Sequence, residues 1–185
     1  MNAGKSTTLL QSDYNYNERG MDTLLYSPVV DNRSGVRTIS SRIGLESPAV
    51  GFSADTDILA DVSGKIASNS NIKCILVDEA QILTELQVKE LCKVCDTYNI
   101  PVMCYGIRTD FRGELFSGSM HLLAYADNLV ELKTICEYEN CTRKATMVAR
   151  FVDGELVTEG EKVFIGGDNY KVYCRKHHRK ITGLI

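Results

Sequence analysis

The segment MNAGKST at residues 1–7 decides the fold, because Gly4-Lys5-Ser6 is the second half of a phosphate-binding loop, G-x-x-x-x-G-K-[ST]. In such a loop the backbone N–H groups cradle the phosphates of a nucleotide, the lysine reaches the β- and γ-phosphates, and the hydroxyl group binds Mg²⁺. The first glycine of the pattern and the strand that feeds the loop would fall before Met1. Gly-Lys-Ser alone arises in roughly one chain in ten of this length, so it becomes informative only with an acidic partner.

The acidic partner is the segment ILVDEAQ at residues 75–81, in which an apolar run leads directly into two carboxylates. A buried strand would carry Asp78 to the carboxyl edge of the sheet beside the loop, where it can bind Mg²⁺ or its water shell. Glu79 would face the same cleft and could take a proton from an attacking hydroxyl group, as a general base does. Two acids can also simply mark an exposed strand end, but with the loop remnant upstream the sequence favours nucleotide binding.

Apolar strand patterns alternate with helical patterns through most of the chain. Helices are predicted at residues 6–19, 55–67, 84–98 and 114–125, and strands at 23–27, 73–78, 102–105 and 128–132. This alternation predicts an α/β fold with a parallel sheet covered on both faces, as in P-loop NTPases of the RecA-like type. From about residue 135 the pattern changes to short strands, at 145–152, 162–165 and 170–173. The chain is therefore predicted to form an α/β domain at 1–134 and a small zinc-stapled lobe at 135–185.

Composition narrows the class of protein. The 185 residues are 44% hydrophobic with a net charge of −3, which suits a globular protein and argues against a general nucleic-acid binder. The basic cluster at 175–180 is interpreted as a solvated tail. We expect no membrane insertion and no secretion, because the sequence has neither a long apolar run nor a basic leader followed by apolar residues. The predicted location is the cytoplasm.

Seven cysteines cannot all pair in disulfides, and a cytoplasmic chain would keep its thiols reduced. Cys74 and Cys104 lie in apolar runs and are interpreted as small buried residues. Cys92 and Cys95 form a C-x₂-C that invites a zinc or redox interpretation. Core packing on a helix is favoured for this pair, since a redox C-x₂-C lies at a helix N-terminus.

A second group of ligand-type residues lies in the C-terminal quarter. Cys136 and Cys141 form a C-x₄-C, and Cys174 and His177 form a C-x₂-H after a gap of 32 residues. Two short-spaced pairs separated by a loop are typical of a tetrahedral structural Zn²⁺ site. His178 could replace His177 as the fourth ligand. With four protein ligands, the metal would hold the fold and do no chemistry.

Taken together, the ordered motifs resemble thymidine kinases of the zinc-containing type II family, essentially from end to end. The segments that carry the resemblance are AGKST (3–7), DNR (31–33), VDEAQ (77–81), YGIRTDFRGELF (105–116), ELKTIC (131–136), IGG (165–167) and the C-x₂-H. Each motif alone is modest evidence for this family, but the complete set in this order is highly specific to it.

The resemblance implies a reaction and a set of roles. The γ-phosphoryl group of Mg·ATP would pass to the 5′-hydroxyl of thymidine or deoxyuridine, giving the monophosphate and ADP in nucleoside salvage for DNA synthesis. The catalytic residues implied are Glu79 as proton acceptor, Lys5 on the β/γ-phosphates and Arg33 on the transferring phosphoryl group. Ser6 and Asp78 would hold Mg²⁺, with Asp31 orienting Arg33 or the water of the metal. Other ATP-binding positions implied are Asn2, Ala3, Gly4, Thr7 and Gln81.

In this family the thymine base is bound by a long loop between the two zinc-ligand pairs, called the lasso. The lasso corresponds here to residues 142–173. The implied thymidine contacts are Phe164, Ile165, Gly166 and Tyr170 in the lasso, with Met1, Ile107 and Phe111 walling in the ring. Ile107 and Phe111 could equally be ordinary core residues. The resemblance also implies a homotetramer and feedback inhibition by dTTP, with neither nucleic acid nor membrane as a partner.

Three departures from the family pattern bear on these expectations. The missing first glycine and leading strand predict an artefactual or trimmed start, the C-x₄-C is longer than the usual pair, and the stretch between Gly167 and Tyr170 is one residue short. Two rival functions remain open at this point. One is a zinc-containing P-loop ATPase that binds nucleic acid through residues 175–180, and the other is a regulator that binds nucleotide without transferring phosphate.

Overall fold

A computed structural model describes residues 2–29, 38–162 and 169–184 of the chain. The strands are β1 (Asp22–Pro28), β2 (Thr38–Ser40), β3 (Glu46–Pro48), β4 (Val50–Phe52), β5 (Ile72–Val77), β6 (Val102–Cys104), β7 (Thr134–Ile135), β8 (Lys144–Ala145), β9 (Met147–Val152), β10 (Glu155–Val157) and β11 (Asn169–Tyr173). The helices are α1 (Lys5–Asn17), α2 (Ile58–Ser68), α3 (Glu85–Tyr98), α4 (Ser117–Tyr125) and α5 (Arg175–Thr182), with a short 3-10 helix at Ala80–Ile82.

Four parallel strands form the central sheet, in the order β4-β1-β5-β6. Successive residues of a strand point to opposite faces, and β5 shows this directly. Ile75 and Val77 belong to the apolar core on the face covered by α2 and α3. Cys74 and Leu76 belong to the core on the other face, where Leu9 of α1 packs. The predicted α/β architecture with helices on both faces is confirmed, and the carboxyl ends of β1 and β5 meet at the edge beside α1.

The predicted strand at residues 128–132 is wrong. These residues have no regular secondary structure, and Leu129 and Val130 are 66% and 84% exposed. An apolar run forms a strand only where a neighbouring strand pairs with it. In the described ranges, no strand pairs with residues 128–132. The predicted helix at 114–125 also starts later, at Ser117, because Leu115 first pairs with Thr109 in a β-bridge.

The C-terminal residues form a separate small core. β9 lies between β10 and β11 in an antiparallel sheet, and β7 pairs with β8. Buried residues from these strands pack with Cys136 and Cys174, and Cys141 packs against the same cluster. The basic cluster at 175–180 falls within α5, where it is helical and not a loose tail. In the described part of the chain, no helix combines the length and apolar character that crossing a bilayer requires.

The N-terminus of α3 offers a stability prediction. Thr84 Oγ1 accepts the N–H of Gln87, and the Gln87 side chain accepts the N–H of Thr84, which together make a capping box. Thr84→Ala is expected to lower the free energy of unfolding by about 1 kcal/mol, because the Gln87 N–H loses its acceptor. Urea unfolding measures the change. Thr84→Ser keeps the hydroxyl group and serves as the control; equal stability of the two variants would contradict the capping role.

Candidate active site and metal centre

Gly4 ends the phosphate-loop remnant and starts α1. Its backbone is left-handed, with φ of 76°, a conformation that glycine adopts without steric cost. The N–H and hydroxyl group of Thr8 both donate to the Gly4 carbonyl, at 2.9 and 3.0 Å, and fix the first turn. No side chain of the described residues caps this helix end. The N–H groups of the first turn are therefore directed at the place where an anion would bind.

Ser6 and Asp78 meet at this helix end. The Ser6 hydroxyl group donates to Asp78 Oδ2 at 3.0 Å, although the two residues are 72 positions apart. Asp78 follows β5 and is 6% exposed. Burial and the neighbouring charge of Glu79 raise the pKa of Asp78, against the opposing effects of hydrogen bonds from the Glu79 N–H and Ser6 and the charge of Lys5. A divalent cation here would relieve an ionised carboxylate that the protein alone stabilises poorly, so Ser6 and Asp78 fit Mg²⁺.

The raised pKa of Asp78 gives a stability prediction. A buried acid with a raised pKa costs stability where it is ionised, and this cost disappears as the pH falls below its pKa in the unfolded chain. Asp78→Asn is therefore expected to raise Tm at pH 7 by about 2–4 °C in metal-free buffer, with a smaller gain near pH 4.

Thermal unfolding at the two pH values measures this change. Asp55→Asn alters an exposed aspartate and is the matched control, expected to leave Tm unchanged at both pH values. A lower Tm for Asp78→Asn at pH 7 would mean that the carboxylate stabilises the fold.

Glu79 follows directly, in a backbone conformation that is unusual for its residue type. Its φ of 47° is left-handed, which costs about 1–3 kcal/mol for a residue other than glycine. The Glu79 N–H donates to Asp78 Oδ1 at 3.0 Å, and the Ala80 N–H donates to the Tyr105 carbonyl at 2.9 Å. These bonds hold the turn that directs the Glu79 side chain toward Gln81, whose Nε2 donates to Glu79 Oε2 at 2.6 Å.

The segment 105–116 lies beside these acids. Its Ile107 N–H donates to Gln81 Oε1 at 3.1 Å, and Ser119 Oγ donates to the Ile107 carbonyl at 2.6 Å. The Ile107 side chain is partly exposed, whereas Phe111 is 2% exposed and packed under the guanidinium groups of Arg112 and Arg150. In this structure the Phe111 ring is thus a buried support for the segment.

The C-terminal lobe contacts the same segment. Lys162 Nζ lies 3.0 Å from Glu114 Oε2 and 3.3 Å from the Leu115 carbonyl. It is the last described residue before 163–168, so these contacts attach this end of the described range to the segment 105–116. Tyr170, beyond the gap, lies in β11 opposite Arg150 of β9.

Several predicted site residues lie outside the described ranges. They are Met1, Asp31, Arg33, Phe164, Ile165 and Gly166. Asn2, Ala3 and Thr7 flank Gly4 and Lys5 in the loop and first turn. The structure thus brings together Ser6, Asp78 and Glu79, with Gln81 and Ile107 joined to them by hydrogen bonds.

The second predicted centre is a cluster of three thiols and one imidazole. The ligand atoms of Cys136, Cys141, Cys174 and His177 all lie within 4.8 Å of one another. His177 Nδ1 is 3.5 Å from the sulfur atoms of both Cys136 and Cys174. Tetrahedral zinc with bonds of about 2.0–2.3 Å separates its ligand atoms by roughly 3.5–3.8 Å. The cluster therefore fits Zn²⁺ with little movement.

The protonation of the cluster also suits a metal. Burial disfavours the Cys174 thiolate, but N–H groups of His177 and Lys176 and the thiols of Cys136 and Cys141 outweigh it and lower its pKa. Burial and nearby cations, chiefly Lys176 and Lys180, lower the pKa of His177 and favour the neutral imidazole that a metal requires. The pKa of the Cys136 thiol is raised, chiefly by burial, and metal binding would have to displace its proton.

The structure also separates the two neighbouring histidines. His177 joins the cluster and stacks on Tyr138 with ring centroids 4.0 Å apart. His178 points away, is fully buried, and has Nε2 within 3.0 Å of the Phe111 carbonyl and 3.1 Å of the Val148 carbonyl. Cys92 and Cys95 are partly exposed on α3 and do not belong to the cluster. Sequence analysis missed the contacts of His178 and Gln81, because no local pattern marks a bond between distant segments.

The known proteins that this chain resembles are named thymidine kinases. The family model described as Thymidine kinase matches residues 1–178. A thymidine kinase of Coxiella burnetii is 58% identical over 181 residues, which cover 97% of this chain and 91% of the relative. Thymidine kinases of Yersinia pseudotuberculosis and Rhodopirellula baltica are 54% and 53% identical over 182 residues, covering 97% of this chain and 91% and 84% of the relatives.

Proposed function

The chain belongs to the thymidine kinase family, and from this membership we infer that it is an ATP-dependent phosphotransferase that phosphorylates thymidine. The reaction is transfer of the γ-phosphoryl group of ATP to the 5′-hydroxyl of thymidine, and also of deoxyuridine, with ADP as the second product. One observation carries the proposal: the Ser6 hydroxyl group bonds to Asp78 at 3.0 Å at the start of α1, with Glu79 as the next residue. A candidate phosphate-binding site and a candidate general base, Glu79, therefore lie next to each other.

The residues of this site divide the work of phosphoryl transfer, which is mostly positioning and neutralisation of charge. Lys5 and the N–H groups that follow Gly4 bind the phosphates. Ser6 and Asp78 would hold Mg²⁺, which would supply positive charge beside the phosphates. Glu79 accepts the proton of the 5′-hydroxyl group as the new bond forms.

Arg33 and Asp31, from a segment outside the described residues, complete the proposed site. Arg33 places its guanidinium on the transferring phosphoryl group, and Asp31 orients Arg33 or water bound to the metal. Asn2, Ala3, Thr7 and Gln81 are the remaining ATP-side positions, as the family resemblance implies.

The metal cluster has a structural role in this proposal. Zn²⁺ would be held by Cys136, Cys141, Cys174 and His177, and with four protein ligands it would serve to hold both ends of residues 142–173. Thymine would lie against Phe164, Ile165, Gly166 and Tyr170, with Met1 and Ile107 beside the ring and Phe111, which the resemblance also implies, supporting the segment 105–116 from its buried position. The ion pairs of Lys162 with the segment 105–116 support this placement, because they join the lasso to the expected wall of the pocket.

The broader properties follow from the same inference. We assign residues 1–134 to the nucleotide domain and 135–185 to the zinc lobe, which the separate core around Cys136 and Cys174 supports. A cytoplasmic homotetramer that dTTP inhibits is the proposed working form. A reducing compartment suits the seven cysteines, none of which is paired in a disulfide.

Transfer of labelled γ-phosphate from Mg·ATP tests the function directly. Thymidine should accept label, and deoxycytidine and guanosine should not. Label on all three nucleosides would contradict the proposed selectivity. ATP hydrolysis that DNA stimulates, with no label on any nucleoside, would instead support a nucleic-acid-binding ATPase.

A further inference from the structure

We propose that Gln81 is a positioning residue that fixes which oxygen of Glu79 receives the proton, and that ties this base to the peptide of Ile107. The proposal rests on the proposed function, because it gives Glu79 a proton to accept. It concerns a residue that the family resemblance assigns only to the ATP side of the site.

The orientation of the Gln81 amide follows from its neighbours. The Ile107 N–H is a donor and can face only the carbonyl oxygen of an amide, and it lies 3.1 Å from Gln81 Oε1. The NH₂ group must then face the other way, where it donates to Glu79 Oε2 at 2.6 Å. Gln81 is 6% exposed, so water competes little for either bond. The amide therefore cannot flip without leaving a buried donor facing a donor.

This arrangement makes the two oxygens of Glu79 unequal. Oε2 accepts a hydrogen bond from Gln81, which makes it the less basic oxygen, so Oε1 is the oxygen that receives the proton of the 5′-hydroxyl group. The bond also restricts rotation of the carboxylate, which follows a strained left-handed backbone position. Loss of a hydrogen bond to a charged group changes an equilibrium by about 10- to 100-fold, and we expect this range for the rate.

Gln81 also connects the base to the segment that is proposed to line the thymine pocket. The Ile107 peptide is held on both sides, by Gln81 Oε1 at its N–H and by Ser119 Oγ, 2.6 Å away, at its carbonyl. A displacement of Ile107 would thus be transmitted through one side chain to Glu79. The Glu79 carboxylate is therefore correctly placed for proton transfer when Ile107, in the proposed pocket wall, is correctly placed.

Gly106 supplies an independent way to disturb the same contact. A Cβ atom added at Gly106 would lie 2.8 Å from Gln81 Oε1 and 3.0 Å from the Gln81 backbone nitrogen. These distances are shorter than ordinary contacts, so the Gln81 side chain would have to shift. Gly106→Ala should therefore reproduce the loss caused by changing Gln81 itself.

The first test is Gln81→Met in the full chain, which keeps the length of the side chain and removes both hydrogen bonds. We expect kcat for thymidine phosphorylation to fall about 10- to 100-fold, and KM for ATP to change by much less, because Lys5 and the N–H groups that follow Gly4 still bind the phosphates. Gln11→Met changes an exposed glutamine and should match the parent. A parent that phosphorylates thymidine beside a Gln81→Met variant with unchanged kcat overturns this inference alone; a parent that phosphorylates no nucleoside overturns the proposed function with it.

The second test separates positioning from a merely structural role. In a Glu79→Gln background, Gln81→Met should lower kcat by less than about threefold further, since Gln81 acts through Glu79. Gly106→Ala should lower kcat, and combining it with Gln81→Met should add little. Losses that multiply in the Glu79→Gln background would show that Gln81 supports the fold and would overturn the proposal.

Discussion

Replacing Glu79 by glutamine is expected to lower kcat for thymidine phosphorylation about 10²- to 10⁴-fold, the usual contribution of a general base. Glutamine keeps the size of the side chain but cannot accept the proton of the 5′-hydroxyl group. KM for ATP should change little, because the phosphate contacts of Lys5 and the first turn of α1 do not involve this side chain. Steady-state kinetics with labelled ATP would measure both constants.

Glu85→Gln is the matched control for this variant. Glu85 is an exposed carboxylate at the start of α3 that pairs with Lys89 and lies 3.3 Å from His121. Its replacement should leave kcat unchanged. If Glu79→Gln kept more than about a tenth of the parent kcat, then Glu79 would not be the group that accepts the proton of the 5′-hydroxyl group.

Replacing Cys174 by serine is expected to have the largest effect outside the active site. Cys174 is 5% exposed and immediately precedes α5, and the pKa of its thiol is lowered despite this burial. Zinc sites of this type contribute on the order of 10 kcal/mol to the folding of the structure around them. The variant should lose its zinc and its thymidine affinity, since the ends of residues 142–173 would come apart.

Metal analysis of the purified protein and thymidine titration measure these losses. Cys92→Ser is the control, because Cys92 belongs to the C-x₂-C of α3 and lies outside the cluster. It should keep one zinc ion per chain and normal thymidine affinity. Zinc that remained bound at full stoichiometry in Cys174→Ser, or that was lost in Cys92→Ser, would contradict the assignment of the ligands.

Sequence patterns predicted the features that depend on short stretches of chain. The phosphate-loop remnant, the apolar run into Asp78 and the cysteine spacings are local, and each came together in the structure as predicted. The parallel sheet was predictable because strand and helix periods alternate along the chain. These signals need no knowledge of which segments meet.

The predictions that were wrong and the contacts that were missed depend on residues distant in sequence. Residues 128–132 have the apolar content of a strand, but pairing decides whether a strand forms, and composition does not report pairing. His177 and His178 are equivalent in spacing arguments, and only packing against Phe111 and Val148 separates them. The link from Gln81 to Ile107 spans 26 positions and has no sequence signature.

The left-handed backbone at Glu79 has a consequence for how this position can evolve. The residue that suits the backbone best is glycine, and the residue that the proposed proton transfer requires is glutamate. Selection for thermal tolerance and selection for turnover therefore favour different residues at position 79. Libraries built to make this enzyme more robust would gain by leaving that codon fixed and seeking their improvements on the far side of the sheet.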